Sequence, residues 1–179
     1  MTKVLIDNKQ PNLIKIPMKS YLVKYLTKKY GKKYRVSYCD WLGLCFTNYL
    51  TPIYQKPAPI WKSAYFEIVV PENICRRKGH FVERNDLKRL ESTIDNFFKS
   101  SMYDFVRINL NIDRNSSKKI IKKTLASFLD SYGINEDDFS LDTACRIYHR
   151  MVKKKLESDK KNKSKKKGAT SLVNIDVVE

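Results

Sequence analysis

Histidine is nearly absent from this chain, and cysteine and glycine are sparse: two His, four Cys and five Gly in 179 residues. Cys39, Cys45, Cys75 and Cys145 form no C-x-x-C pair, and only His80 and His149 could join them. A structural zinc site needs clustered thiolate and imidazole ligands, so none is expected; Cys75 and His80, the nearest thing to a pair, read as a small thiol and a surface imidazole. Thiols this scattered suit a reducing compartment, and a cytoplasmic location is expected. Glycine is too thinly spread for a phosphate loop, and G-x-S-x-G, H-x-H and Cys/His dyad patterns are missing. No run of about 18 apolar residues occurs, which excludes a spanning helix. The opening residues MTKVLIDNKQP have no apolar core of a signal peptide. The expectation is a protein that is not an enzyme, takes no metal or cofactor and does not enter a membrane.

Positive charge is abundant. The chain carries 36 Lys+Arg against 19 Asp+Glu, a formal net charge of +17. A domain this basic attracts polyanions, of which nucleic acid is the commonest. Apolar residues make up 42% of the chain, enough to build a core rather than leave it disordered.

Periodicity points to a mainly α fold with a minor β component, α+β in class. Residues 1–115 form an N-terminal α+β core, 116–157 a basic helical pair, and 158–179 a disordered Lys-rich tail. Within the core, Leu13–Ile16 reads as a short strand ended by Pro17. Tyr21, Leu22, Tyr25 and Leu26 recur at helical spacing ahead of Gly31. Asp40 is suited to cap a core helix from Trp41 to Leu50, stopped by Pro52, after which a proline-rich connector runs to Pro59. Ser63–Val70 is the best strand, nearly all apolar and so expected to be buried on both faces or covered by helices. Arg76, Arg77 and Lys78 then precede Gly79 at an expected turn. A long helix, capped by Asn85 and reaching about Asp113, carries Leu87, Leu90, Ile94, Phe97, Phe98, Phe105, Ile108 and Ile112 on one stripe, with Ser100-Ser101 as a possible break.

The C-terminal pair is segregated by charge. A helix from Lys118 to Tyr132, capped by Ser116 or Ser117 and closed by Gly133, sets Ile121, Thr124, Leu125, Phe128 and Leu129 against Lys119, Lys122 and Lys123. A second helix, Leu141–Leu156, sets Leu141, Ala144, Cys145, Tyr148, Met151 and Val152 against Arg146, Arg150, Lys153 and Lys154. At 100° per residue those four cations fall within about a quadrant. Lys155 follows, and the tail adds Lys160, Lys161, Lys165, Lys166 and Lys167; Lys153–Lys167 holds nine lysines against Glu157 and Asp159. Arginine forks suit guanine edges and phosphates, and lysines mainly neutralise phosphates. Glu136, Asp137, Asp138 and Asp142 form the only acidic cluster near the basic helices; they precede a helix N-terminus, where negative charge is favoured, and read as capping rather than metal ligands.

Phe128, Tyr132-Gly133-Ile134, Asp137-Asp138-Phe139-Ser140 and Arg146 to Arg150 resemble a helix-turn-helix unit over residues 121–151. More loosely, they resemble the DNA-binding domain of bacterial replication initiators of the DnaA kind. The chain also looks like small basic proteins of phages and conjugative elements. Its Ile134–Ser140 connection is longer than a three- or four-residue turn, and no P-loop accompanies it. The resemblance implies double-stranded DNA binding in replication, transfer or transcriptional control of a mobile element, in a bacterial host cytoplasm.

Arg76, Arg77 and Lys78 are further candidate phosphate contacts. A second basic and aromatic cluster, Lys19 to Arg35, places Tyr21 and Tyr25 among lysines; they are read as core, with stacking on unpaired bases as the alternative. Two other functions stay open. One is a virion or complex assembly scaffold that neutralises nucleic acid and docks a protein partner through the β-prone residues 172–178. The other is binding of RNA or single-stranded DNA.

Overall fold

The computed structural model describes residues 12–52, 64–112 and 118–169, with side chains described outside 111–112 and 159–169. It is mainly helical with a small strand component. Strand β1 (Leu13–Pro17) leads into helix α1 (Ser20–Tyr30), then β2 (Lys33–Arg35), α2 (Trp41–Thr47) and β3 (Leu50–Thr51). After the undescribed residues 53–63 come β4 (Tyr65–Val69), α3 (Glu72–Lys78), β5 (Phe81–Val82) and α4 (Arg84–Ile112). Helices α5 (Lys118–Ser131) and α6 (Leu141–Ala169) complete the order.

β4 is the centre of a three-stranded sheet, antiparallel to β1 and parallel to β2. Its apolar run alternates after all. Phe66, Ile68 and Val70 are buried, whereas Tyr65, Glu67 and Val69 are half-buried. On the outer face the register sets Lys15 and Lys33 on either side of Glu67, and Lys15 pairs with it at 3.5 Å. That charged row explains why a β-rich segment leaves one face wet. Pro17 is tolerated because β1 is an edge strand. β3 and β5 form a separate two-residue ladder that no local pattern announced.

Several elements differ from their sequence pattern. α2 begins at Trp41 as expected, with Asp40 accepting a hydrogen bond from the Gly43 N–H at 2.9 Å, but it ends at Thr47. It is not wholly a core helix: Trp41 and Leu44 remain 37% and 47% exposed. Arg76, Arg77 and Lys78 occupy the last turn of α3 rather than a loop, favourable for cations at a helix C-terminus. α4 runs unbroken through Ser100-Ser101. Its buried stripe continues through Met102 and Val106, leaving Ile108 59% exposed. The stripe turns because α4 packs on α1 and then on α5 and α6.

One cluster of buried residues runs from Ile14 to Tyr148, so α5 and α6 share a core with the N-terminal elements. Phe98 is its hub. Its ring lies 5.2 Å from Tyr21, 5.3 Å from Tyr25, 5.7 Å from Phe128 and 5.4 Å from Phe139, tying α1, α4, α5 and the α5–α6 connection together. Tyr21 and Tyr25 are core residues, at most 6% exposed, with hydroxyls donating to Asp95 (2.7 Å) and Ser101 (2.8 Å). Burial, and for Tyr21 the neighbouring Asp95 carboxylate, pushes both phenols up, Tyr25 to about 12.

The Lys-rich stretch after Leu156 also departs from expectation. α6 continues as helix to Ala169, about 20 Å beyond Leu156 at 1.5 Å per residue. Straight-chain lysines are good helix formers once a nucleated helix can be extended. Residues 170–179, including the expected docking segment 172–178, lie outside the described residues, as do the proposed caps Ser116 and Ser117.

Candidate nucleic-acid interface

The α5–α6 pair is held by a connection that is longer than a tight turn yet hydrogen-bonded and packed along its length. α5 ends in a Schellman arrangement: Gly133 takes φ 64°, its N–H donates to Asp130 O, and the Ile134 N–H reaches back to Leu129 O at 3.0 Å. Ile134 and Phe139 are buried at 3% and 8% exposure and act as two apolar pegs. Phe139 packs 4.7 Å from Tyr21. Asp138 forms an ion pair with Lys24 of α1 and accepts the Asn135 N–H at 3.2 Å. The hydrogen bond from Lys24 is the main cause of an Asp138 carboxyl held below its usual range.

Of the acidic residues, Glu136 caps α6 and Asp142 stands in its first turn. Ser140 accepts the Thr143 N–H at 3.2 Å, and both Glu136 carboxylate oxygens accept the Leu141 N–H at 3.1–3.2 Å. Asp142 accepts from Lys122 of α5 at 3.4 Å. Each acid except Asp137 therefore has a structural partner within the fold.

The Lys122–Asp142 contact matters beyond its small energy, since both side chains are exposed. It brings Lys122 of α5 to the N-terminal end of the basic flank of α6. From Asp142 the same flank of α6 continues through Arg146, Arg150 and Lys153, with Lys154 at its edge. All four cations are exposed, while Ala144 and Tyr148 opposite them are buried. Arg146 is steadied by its own helix, donating to Asp142 O at 3.4 Å and Thr143 Oγ1 at 3.2 Å. Lys119 and Lys123 are exposed on α5 beside Lys122. The structure thus places Arg146, Arg150, Lys153 and Lys154 on one exposed flank of α6, with Lys122 of α5 beside its N-terminal end.

Lys155 stands apart from that flank. Its ammonium lies 4.8 Å from the Tyr103 ring, over a cleft of about 370 Å³ lined with Asp104 and Met151. Lys160, Lys161, Lys165, Lys166 and Lys167 follow on helical backbone, with side chains outside the described residues.

Arg76 and Arg77 sit in a different place, and they have a companion missed in sequence. A cleft of about 540 Å³ is lined by Arg35, Pro71, Glu72, Asn73, Arg76 and Arg77, none from α5 or α6. Arg76 pairs with Glu72 at 2.5 Å; Arg35 and Arg77 have no carboxylate partner among the described residues. Arg35 arrives there because β2 pairs in parallel with β4, setting it opposite Val69 just ahead of α3. Lys78 is exposed in the same turn but does not line the cleft.

Among the described residues, no three His, Cys, Asp or Glu side chains are placed to hold a metal ion, and no helix is long and apolar enough to cross a membrane. Cys75 lies 3.5 Å from Val70 O, and His80 packs on Phe81. No family model, curated protein or solved structure matches this chain.

Proposed function

We propose that this protein binds nucleic acid, double-stranded DNA above all, through the outer flank of α6 extended by α5. The observation that carries this reading is the exposed flank Arg146–Arg150–Lys153–Lys154 of α6, joined by Lys122 of α5 through Asp142 at one end and bounded by Glu157 at the other. A row of cations on a helix docked by its other face fits a groove or a phosphate track. The acids Glu136 and Asp142 gather at the α6 N-terminus, so contact with phosphates falls to the middle and C-terminal part of the helix. The lysines beyond Leu156, carried on helical backbone, lengthen that track and add affinity without sequence information. A role in replication, transfer or transcription of a mobile element follows from the resemblance of residues 121–151 to helix-turn-helix proteins.

The test is fluorescence-anisotropy binding to random-sequence duplex DNA across a salt series, with the full chain and a truncation after Leu156. Duplex binding that survives truncation with a shallower salt dependence supports the reading. Binding that vanishes with the truncated segment removes the α5–α6 row from it and leaves the folded part as an assembly scaffold.

A further inference from the structure

The buried Tyr21 and Tyr25 cannot stack on bases, but the structure exposes another set of rings. Tyr38, Trp41 and Leu44 are 44%, 37% and 47% exposed, the large apolar side chains left uncovered around the start of α2. Trp41 is not loose. Its ring stacks on Phe97 of α4, with centroids 4.1 Å apart and planes 17° from parallel. The same Phe97 ring lies 4.5 Å from the Lys29 ammonium, which also touches the Tyr25 and Tyr30 rings at 5.7 Å. Tyr30 packs against Tyr34, whose hydroxyl donates to both Asp40 oxygens at 2.7 Å and so locks the residue before Trp41. The shelf is therefore rigid, held from α1, β2 and α4 together.

The shelf adjoins the α1–β2 junction through the Lys29–Phe97 and Tyr30–Tyr34–Asp40 contacts. Lys28, Lys29 and Lys32 are exposed along that junction, and Lys28 and Lys32 have no carboxylate partner among the described residues, whereas Lys33 stands beside Glu67 on the sheet. Asp40, the acid of this neighbourhood, is occupied by Tyr34 and by the Gly43 N–H. An exposed, preorganised indole beside unpaired cations is the combination that takes a base on its π-face and the adjoining phosphates on its ammonium groups. An anionic strand with unpaired bases satisfies both halves. An apolar protein surface would leave the adjoining lysines unmatched, and a blunt duplex hides its base faces.

We propose that Tyr38, Trp41 and Leu44, with Lys28, Lys29 and Lys32 of the adjoining α1–β2 junction, form a stacking site for single-stranded nucleic acid. It stands on residues distinct from the α5–α6 row, so the protein has separate surfaces for duplex and for unpaired strand.

The experiment is anisotropy titration of a labelled oligothymidylate and of a blunt duplex with the full chain, its Trp41→Ala and Leu44→Glu variants, and an Arg146→Ala/Arg150→Ala/Lys153→Ala variant. Leu44→Glu sets a carboxylate on the shelf without removing the Trp41–Phe97 stack, and it serves where Trp41→Ala fails to fold. Trp41→Ala is expected to weaken oligothymidylate binding about five- to 150-fold, the loss of one base stack, and to leave duplex affinity unchanged. The α6 variant is expected to do the reverse, which separates this site from the duplex reading. Unchanged oligothymidylate affinity in Leu44→Glu and in folded Trp41→Ala would overturn the proposal and give the shelf to a protein partner; equal losses for duplex and single strand would overturn it as well.

Discussion

Substituting Arg146, Arg150 and Lys153 together by alanine tests the α6 row most directly, and its size can be worked from helix geometry. From Arg146 to Lys154 the helix rises about 12 Å at 1.5 Å per residue. One DNA strand presents a phosphate about every 3.4 Å of axis, so the row faces roughly three of them. Each neutralised phosphate contributes about 0.9 to the slope of log affinity against log salt, so the triple variant should have a slope shallower by about 2.7. Between about 50 and 200 mM salt the native protein should then lose about 40-fold more affinity than the variant. Stability should change little: the three side chains are exposed, and alanine favours a helix interior. Anisotropy with a random-sequence duplex over that salt range reads the slope, and a thermal melt confirms the fold. A slope unchanged in a folded variant would refute the reasoning, whatever the affinity at any single salt concentration.

Phe98→Ala should cost about 3–5 kcal/mol, because the ring is fully buried and holds four aromatic neighbours from two other helices and a connector; denaturant unfolding would show it, and a loss below about 1 kcal/mol would mean the hub can collapse around the hole. Gly43→Ala should destabilise severely, since an added Cβ would stand 1.7 Å from the Ser37 carbonyl oxygen; a near-native melting temperature would contradict that close approach. The phenols of Tyr21, Tyr25 and Tyr34 are all pushed up, mainly by burial. Their protonated forms stabilise the fold fully below the ordinary tyrosine pKa of about 10, and that contribution is lost as pH rises toward the folded-state values. Near-ultraviolet titration should show their ionisation coinciding with alkaline unfolding, and three additional tyrosines titrating in the folded protein near about pH 10 would contradict it.

Much of the helical framework was legible in the residues themselves. Gly31 and Gly133 end helices in the left-handed region at φ 90° and 64°, a conformation other residues resist. Asp40 caps α2 as its short carboxylate dictates. The four α6 cations share a flank because 3.6-residue periodicity leaves them no alternative. Where the pattern misled, a neighbour along another part of the chain had intervened. Ile108 has the period of a core residue, but the buried stripe of α4 has moved round through Met102 and Val106 and leaves it outside. Trp41 has the hydrophobicity of one, but α4 offers it only the Phe97 ring and leaves it partly in water.

Charge, helical periodicity and caps act within a few residues, so the sequence alone determined that this is a basic, largely helical protein with amphipathic C-terminal helices. Tertiary structure decided which surfaces those residues share. The parallel pairing of β2 with β4 carries Arg35 to Arg77, and the Lys122–Asp142 contact brings Lys122 of α5 to the basic flank of α6. Packing against α4 chose Tyr21 and Tyr25 for the core and left Trp41 in part to solvent. These outcomes depend on contacts between residues tens of positions apart, and no local propensity encodes which distant partner fills a given space.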